Sequence, residues 1–248
     1  MYRVSLFVCA LAASVWGSGQ AVEATVVQVT QLGQVVSYTD AQFLTGNGGS
    51  LLGTVGGYVD DPGFLYSSAL DRYVQVTQLG QIVSYTYDQF ITGNGGELLG
   101  TVGGFADDRG FLYSSSVDRY LQITQLGQIV SYTYDQFLTG TGGDLLGTVG
   151  GFSDDAGFFY NPALDRYVQV TQLGQIVAYT FAQFLTGTGG ELLATVGGYT
   201  DDRGFLYVPD PPVVPLPVPA LLLGTALASF ALLRRGRAGS SDRERRAG

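Results

Sequence analysis

Paired aspartates are the sharpest polar feature of the sequence, and they recur every 47 residues. The pairs are Asp60/Asp61, Asp107/Asp108, Asp154/Asp155 and Asp201/Asp202. Carboxylates in a tight loop are ligands that Ca²⁺ prefers, so each pair is a candidate cation site. The alternative is that the second aspartate accepts backbone N–H bonds and holds a turn. The adjacent spacing favours the turn, because calcium loops usually place their acids in alternation.

The same acids are poor candidates for catalysis. Glycoside cleavage needs two carboxylates in different environments roughly 5 to 10 Å apart, whereas these acids recur identically in every copy. The chain has no histidine, and its one cysteine, Cys9, lies in an apolar leader. Nucleophilic triads, imidazole metal sites and disulfides in the mature chain are therefore excluded. We expect no enzyme activity and no cofactor. Bound Ca²⁺ is the alternative to a chain without cofactor, and a glycan hydrolase is the third possible function, after a structural protein and a binding module.

Glutamines and tyrosines supply a second candidate site. The glutamines are Gln28, Gln31, Gln34 and Gln42 with their counterparts in each copy, and the tyrosines are Tyr38, Tyr85, Tyr132 and Tyr179. A ring of amides beside aromatic rings suits sugar hydroxyls and sugar faces, which is a lectin-like alternative. The other interpretation is that Gln31 and Gln34 bond the backbone around a turn while the tyrosines lie in the core.

These residues are organised by a tandem repeat. The second copy, Val74–Tyr120, reads VQVTQLGQIVSYTYDQFITGNGGELLGTVGGFADDRGFLYSSSVDRY, and the other copies span 27–73, 121–167 and 168–207. No copy gains or loses a residue. A constant period of this length is typical of propellers, solenoids and arrays, whose units stack because one unit cannot bury a core alone.

Within one repeat, the pattern of apolar and turn residues predicts four short strands. In the second copy, they are Tyr73–Thr77, Gln81–Thr86, Leu98–Phe105 and a strand that starts at Phe111–Tyr113. Between the second and third strands, Thr86 with Gln89 forms a capping-box pattern and Gly93 fits a helix stop, so this segment is a short helix or an irregular loop. We therefore predict an all-β fold. Closure into a propeller-like ring is favoured over an open array, because closure removes exposed strand edges.

Both ends of the chain differ in composition from this β domain, which we assign to residues 25–207. Residues 1–24 have the pattern of a secretory signal peptide, with an uncleaved anchor as the alternative. Residues 208–219 predict a stiff, proline-rich linker. Residues 220–237 are an apolar stretch closed by arginines, which predicts a transmembrane sorting helix; a buried helix of the domain is the alternative. A polar tail, 238–248, ends the chain.

The net charge excludes one class of partner. The chain carries 21 acidic and 12 basic residues, a formal net charge of −9, and the sequence pI is about 4.3. This charge repels phosphate backbones, so we expect no nucleic-acid binding.

The C-terminal segment resembles the PEP-CTERM class of sorting signals, in its VPLPA variant. The residues that carry the resemblance are Val214, Pro215, Leu216 and Pro217, followed by the apolar stretch and by Arg234, Arg235 and Arg237. The resemblance implies a Gram-negative bacterium, export through the inner membrane, transient contact with that membrane and processing by an exosortase-type enzyme. It also implies a location at the cell surface or in the extracellular matrix, often with extracellular polysaccharide and biofilm.

Two further resemblances concern the repeats. The stretches GQIVSY and GFLY are similar to the extracellular repeats called HAF, and residues 153–160 and 200–207 are similar to the Asp-box, a β-hairpin turn found in several propellers. Together these features favour a secreted or surface-anchored structural or adhesive protein associated with exopolysaccharide. The alternative is a Ca²⁺-dependent or glycan-binding repeat module.

Overall fold

The computed structural model describes residues 25–59, 61, 63–106, 108, 110–153, 155, 157–199 and 204–208. The predicted signal peptide, sorting helix and tail lie outside these residues, as does the linker after Val208. Within the described ranges, sixteen strands form four antiparallel sheets of four strands each. The prediction of an all-β, tandem-repeat fold is therefore confirmed.

The strands fall into four equivalent groups. The first sheet contains β1 (Thr25–Val29), β2 (Gln34–Thr39), β3 (Ser50–Thr54) and β16 (Gly204–Val208). The second contains β4 (Gly63–Ser67), β5 (Arg72–Val76), β6 (Gln81–Tyr85) and β7 (Glu97–Thr101). The third contains β8 (Gly110–Ser114), β9 (Arg119–Ile123), β10 (Gln128–Tyr132) and β11 (Asp144–Thr148). The fourth contains β12 (Gly157–Asn161), β13 (Arg166–Val170), β14 (Gln175–Tyr179) and β15 (Glu191–Thr195).

Each sheet is offset from the sequence repeat by one strand. The second sheet has the order β4-β5-β6-β7, so its first strand comes from the end of one copy and the other three from the next copy. The first sheet follows the same order, but its first strand is β16, from the far end of the described chain. There β16 pairs with β1 in antiparallel register, with Leu206 opposite Val27. The two ends of the repeat region are therefore held in one sheet.

The third strand of the repeat is shorter than predicted. The sequence predicted Leu98–Phe105, whereas β7 ends at Thr101 and is followed by a 3-10 turn at Gly103–Phe105. Paired glycines disfavour a strand and permit a tight turn, which the Phe105 N–H closes on the carbonyl of Val102 at 3.0 Å. The ladder between β6 and β7 also shifts register at a bulge. The other three strands lie within one or two residues of the predicted bounds.

The short helix between the second and third strands is confirmed. The helices are α1 (Asp40–Thr45), α2 (Tyr87–Thr92), α3 (Tyr134–Thr139) and α4 (Phe181–Thr186). At α2, Thr86 and Gln89 form the reciprocal capping box, and Gly93 ends the helix with φ at +69°. None of the helices in the described ranges has the length and apolar character needed to cross a bilayer.

Apolar side chains fill the space between neighbouring sheets, which we call a seam. Four clusters of buried residues occupy the seams between the first and second, second and third, third and fourth, and fourth and first sheets. Each helix places one phenylalanine in a seam; Phe90 of α2, for example, is 1% exposed and stacks on Tyr73 with ring centroids 4.6 Å apart. The core of the described residues thus lies between neighbouring sheets.

A glycine in the outermost strand lets the next helix approach. A Cβ at Gly100 of β7 would lie 2.5 Å from the carbonyl oxygen of Leu138 in α3. The position is equivalent to Gly53 and Gly147, where a Cβ would also meet a helix carbonyl of the next sheet. Helix and strand backbones are therefore in close contact across these seams.

We expect Gly100→Ala to lower the free energy of unfolding by about 1 to 3 kcal/mol, because the added methyl group must push α3 away from β7. Urea denaturation followed by circular dichroism measures the loss. Gly103→Ala is the matched control, since a Cβ at Gly103 meets nothing within 4 Å and its φ is not positive. Equal losses in the two variants would contradict the close contact between β7 and α3.

Candidate functional site

A buried polar network surrounds the second aspartate of each described pair. Asp108 is 7% exposed, and its Oδ1 accepts a hydrogen bond from the backbone N–H of Gln125 at 3.2 Å. Its Oδ2 accepts from the side-chain amide of Gln122. The Oε1 of Gln122 in turn accepts from the hydroxyl of Tyr132 at 2.6 Å. We call this arrangement the Asp–Gln–Tyr network.

The network repeats in two other places. Its members there are Asp61, Gln75, Gln78 and Tyr85, and Asp155, Gln169, Gln172 and Tyr179. In the first sheet, the hydroxyl of Tyr38 donates to Oε1 of Gln28 at 2.7 Å, as in the other sheets. Asp202, the aspartate of the fourth copy, lies outside the described residues.

The network joins one sequence copy to the next. Asp108 lies in the loop that leads from β7 into β8, whereas Gln122 is on β9 and Tyr132 on β10. The aspartate therefore fixes the entering loop to the second and third strands of the following sheet. The sequence suggested a backbone bond within the aspartate's own turn; the N–H that it accepts belongs to Gln125, 17 residues further along, in the turn between β9 and β10.

This geometry gives the described aspartates a structural role. Both carboxylate oxygens accept hydrogen bonds, and a buried carboxylate without such donors would be strongly destabilising. Among the described residues, no group of three or more Asp, Glu, His or Cys side chains is placed to hold a metal ion. The remaining members of the pairs, Asp60, Asp107, Asp154 and Asp201, lie outside the described residues, so Ca²⁺ binding by the pairs stays a prediction.

The structure places the glutamines of one copy at separate positions. Gln28 is buried in the network, and Gln31 is exposed in the turn between β1 and β2. The backbone N–H of Gln34 donates to the hydroxyl of Thr30 at 3.1 Å, and Gln42 caps α1. Because Gln28 is buried and bonded to the hydroxyl of Tyr38, its amide lies in the core and not on a ligand-facing surface. The tyrosines lie in the core, as the second interpretation held.

The ionisation of the core tyrosines is suppressed by their surroundings. Burial raises the pKa of Tyr85, Tyr132 and Tyr179, and the nearby aspartate of each network raises it further. Burial also raises the pKa of Tyr120 to about 12, although a hydrogen bond with Ser67 acts in the opposite direction. The hydroxyls therefore remain neutral hydrogen-bond donors over the physiological range.

Sequence reasoning missed a second set of contacts, in the hairpin that follows the first strand of a sheet. The hydroxyl of Tyr113 donates to the carboxylate of Asp118 at 2.7 Å, and Asp118 adopts a left-handed φ of +53°. The next residue, Arg119, belongs to the same turn and donates to the backbone carbonyl of Asp118. The sequence signal for this contact was a tyrosine five residues before an aspartate at each junction between copies.

Comparisons with known proteins give only distant structural neighbours. No protein-family model matches the chain, and no curated protein matches its sequence. Solved structures with similar folds include a symmetrical protein of de novo evolutionary emergence, at 12% identity and a TM-score of 0.42, with 63% of this chain and 66% of that chain covered. A chain of a nidogen/laminin complex is similar at 9% identity and a TM-score of 0.41, covering 74% and 98%. The WD40 β-propeller domain of Doa1 is similar at 11% identity and a TM-score of 0.30, covering 74% and 54%. Propeller-like folds are thus among the structural neighbours, at distances that carry no functional argument.

We expect Asp108→Ala to lower the free energy of unfolding by about 2 to 4 kcal/mol, because it leaves the buried Gln122 amide without its acceptor and removes the bond from the Gln125 N–H. Chemical denaturation measures the loss. Asp88→Ala, at an exposed position in the first turn of α2, is the control and should cost less than about 1 kcal/mol. A loss at Asp108 no larger than that at Asp88 would show that the network contributes little.

We expect the protein to lose stability at alkaline pH. A tyrosine whose pKa is higher in the folded chain stabilises the fold fully below the unfolded pKa of about 10, and the contribution is lost as the pH rises through the folded pKa. The ultraviolet absorbance of tyrosinate should therefore rise at higher pH in the native chain than in the chain unfolded in urea. Superimposable titrations of the two states would contradict the burial of the hydroxyls.

Proposed function

We propose that the four sheets close into one four-bladed ring and that this ring is the exported part of a structural or adhesive surface protein. Two observations support closure. The last strand, β16, pairs with β1. In addition, the first strand of each sheet contacts those of two other sheets, in the cyclic order β4, β8, β12, β16 and back to β4. An open array of four repeats would leave the first and last copies with a neighbour on one side only.

The hydrogen bonds that the repeated aspartates accept are the observation that supports a non-catalytic role. Asp61, Asp108 and Asp155 are buried, and hydrogen bonds from glutamine side chains and backbone N–H groups hold them in place. A general acid or base needs access to substrate, and these carboxylates have none. We therefore propose that the ring acts without enzymatic activity and without a bound cofactor.

The repeated surface suits a polymer as partner. One exposed leucine lies in the turn that joins β1 to β2, and one lies in the equivalent turn of each other sheet. These residues are Leu32, Leu79, Leu126 and Leu173, and each is 71% or 72% exposed. Several equal contacts on one body gain avidity for a partner that repeats, and extracellular polysaccharide is such a partner. This supports an adhesive or scaffolding role in an exopolysaccharide matrix.

Export and sorting complete the proposal. The pattern of residues 1–24 directs the chain through the inner membrane, and the apolar stretch 220–237 holds it there transiently. An exosortase-type enzyme then recognises the motif Val214–Pro217 and releases the ring to the cell surface or the matrix. The arginines after the apolar stretch stay on the cytoplasmic side.

We expect the full chain, expressed in a Gram-negative host that has an exosortase and makes exopolysaccharide, to appear in the surface and matrix fractions. Its mass should lack residues 1–24 and the C-terminal apolar stretch. The variant Pro215→Ala/Pro217→Ala should remain in the inner membrane with its tail intact, because the processing motif is lost. Fractionation and mass spectrometry of the intact protein measure both results.

A host without the exosortase is the control, and there the wild-type chain should behave as the variant does. Unprocessed chain in the cytosol would contradict export. Equal surface delivery with and without the exosortase would contradict the sorting mechanism.

A further inference from the structure

The seam between the fourth and first sheets is built from different residues than the other three. In each of those three, the third residue of a sheet's first strand is leucine and the facing residue of the next sheet is tyrosine. The pairs are Leu206 with Tyr73, Leu65 with Tyr120, and Leu112 with Tyr167. In the seam between the fourth and first sheets, the equivalent residues are Phe159 and Val26. The large side chain has moved from one side of the seam to the other.

Ring contacts show that the two changes compensate each other. In the three regular seams, the tyrosine stacks on the helix phenylalanine with centroids 4.6, 4.7 and 4.9 Å apart. In the fourth-to-first seam, Val26 offers no ring to Phe43. Phe159 instead meets Phe43 edge to face, at 5.6 Å and an interplanar angle of 72°. Both Val26 and Phe159 are at most 3% exposed, so the seam is filled.

A third residue marks the same seam. The outermost strand carries glycine at positions 53, 100 and 147, where a Cβ would collide with a helix carbonyl. The equivalent residue in the fourth sheet is Ala194, and both Ala194 and Leu44 of α1 pack against the buried cluster of the fourth-to-first seam. This seam therefore accommodates a methyl group that the other three exclude.

The distinct seam packs the fourth sheet against the first sheet, which is the sheet that pairs the two ends of the repeat region. In the second, third and fourth sheets, a four-residue hairpin loop connects the first strand to the second, as between Ser67 and Arg72. In the first sheet, no such loop joins β16 to β1. Because the copies are so similar, another first strand has nearly the right sequence to replace β16, within one chain or from a second copy. Residues that distinguish β16 from the other first strands are therefore needed only where β16 pairs with β1.

We propose that Val26 and Phe159 form a matched pair that directs β16, and not β12, to β1; the proposal rests on the ring closure described above. If β12 took the place of β16, Phe159 would face Tyr73, and two large side chains would fill the space of one. Leu112 of the third sheet would then face Val26 and leave a void. Overpacking and void formation are both destabilising, so the wrong closure is disfavoured at two seams at once.

A double-mutant cycle tests the matching. In the full chain, Val26→Tyr overfills the seam and Phe159→Leu empties it, so each should lower Tm by roughly 4 to 8 °C. The double variant Val26→Tyr/Phe159→Leu recreates the residues of a regular seam and should recover at least half of the summed loss. Single losses that add up in the double variant would overturn the matching.

Disulfide trapping tests the choice of strand. Thr25 pairs with Val208, and the residue of β12 equivalent to Val208 is Asn161. In a Cys9→Ser background, Thr25→Cys with Val208→Cys should form a disulfide within one chain after refolding and oxidation. Thr25→Cys with Asn161→Cys should form little. Adding Val26→Tyr/Phe159→Leu to the second pair should raise its disulfide, within or between chains, at least roughly tenfold.

The disulfide experiments distinguish the proposed ring closure from the proposed matching of Val26 and Phe159. They remain informative if one of the single variants fails to fold. An absent disulfide between positions 25 and 208 in the wild-type seam would overturn both the ring closure and this inference. A normal 25–208 disulfide, together with no rise of the 25–161 disulfide in the double variant, would overturn this inference alone. Peptide mass spectrometry after digestion identifies each disulfide.

Discussion

Aromatic packing between sheets is the interaction on which the described structure depends. Each helix is only six residues long and would be marginal alone, so its stability comes from the phenylalanine that it buries in a seam. Phe43, Phe90, Phe137 and Phe184 are each at most 3% exposed. With no cysteine in the described ranges, no covalent cross-link joins one sheet to the next. The seams therefore hold the sheets in place, and the glycines of the outermost strands permit the close approach that the seams need.

The role of the polar residues in the core depends on the same packing of neighbouring sheets. A loop must pass from the outermost strand of one sheet to the first strand of the next, and the Asp–Gln–Tyr network fixes where that loop ends. Because Asp108 accepts from Gln122 and Gln125 of the following copy, the network adds orientation to the non-directional packing of the seam. Aspartates that the sequence offers as candidate cation ligands thus also align neighbouring sheets. The proposed ring would present the same surface several times, which suits the proposed matrix or adhesive role.

Much of this fold can be predicted from the sequence, since the fixed period and the local signals agree. The capping box at Thr86 and the helix stop at Gly93 are local features, and both are found as predicted. The first strand lies close to its predicted bounds, but its residues from Tyr73 to Val76 are all buried, because other sheets pack on both of its faces. The third strand was predicted too long, because apolar residues continue past Thr101 while the Gly-Gly turn that ends the strand depends on tertiary context. The offset between sheet and repeat was also not predicted, as no local pattern reveals which copies share a sheet.

The candidate site was less predictable for a physical reason. Bonds within the network join residues 10 to 17 positions apart, and those across seams join residues as far apart as Tyr199 and Phe43. Such contacts depend on strand register and on which sheets are neighbours. In the sequence, Val26 stands for a tyrosine and Phe159 for a leucine within apolar patterns. Their significance emerges only when the fourth sheet is seen to pack on the first.

The pairing of β1 with both β2 and β16 is the central claim, and amide hydrogen exchange of residues 25–29 tests it most directly. An interior strand has neighbours on both edges, so its amides are protected by hydrogen bonds on both sides. The account predicts that β1 is protected as well as β5, β9 and β13, the equivalent strands of the other sheets. Exchange in β1 as fast as in the outermost strands β3 and β7 would contradict it.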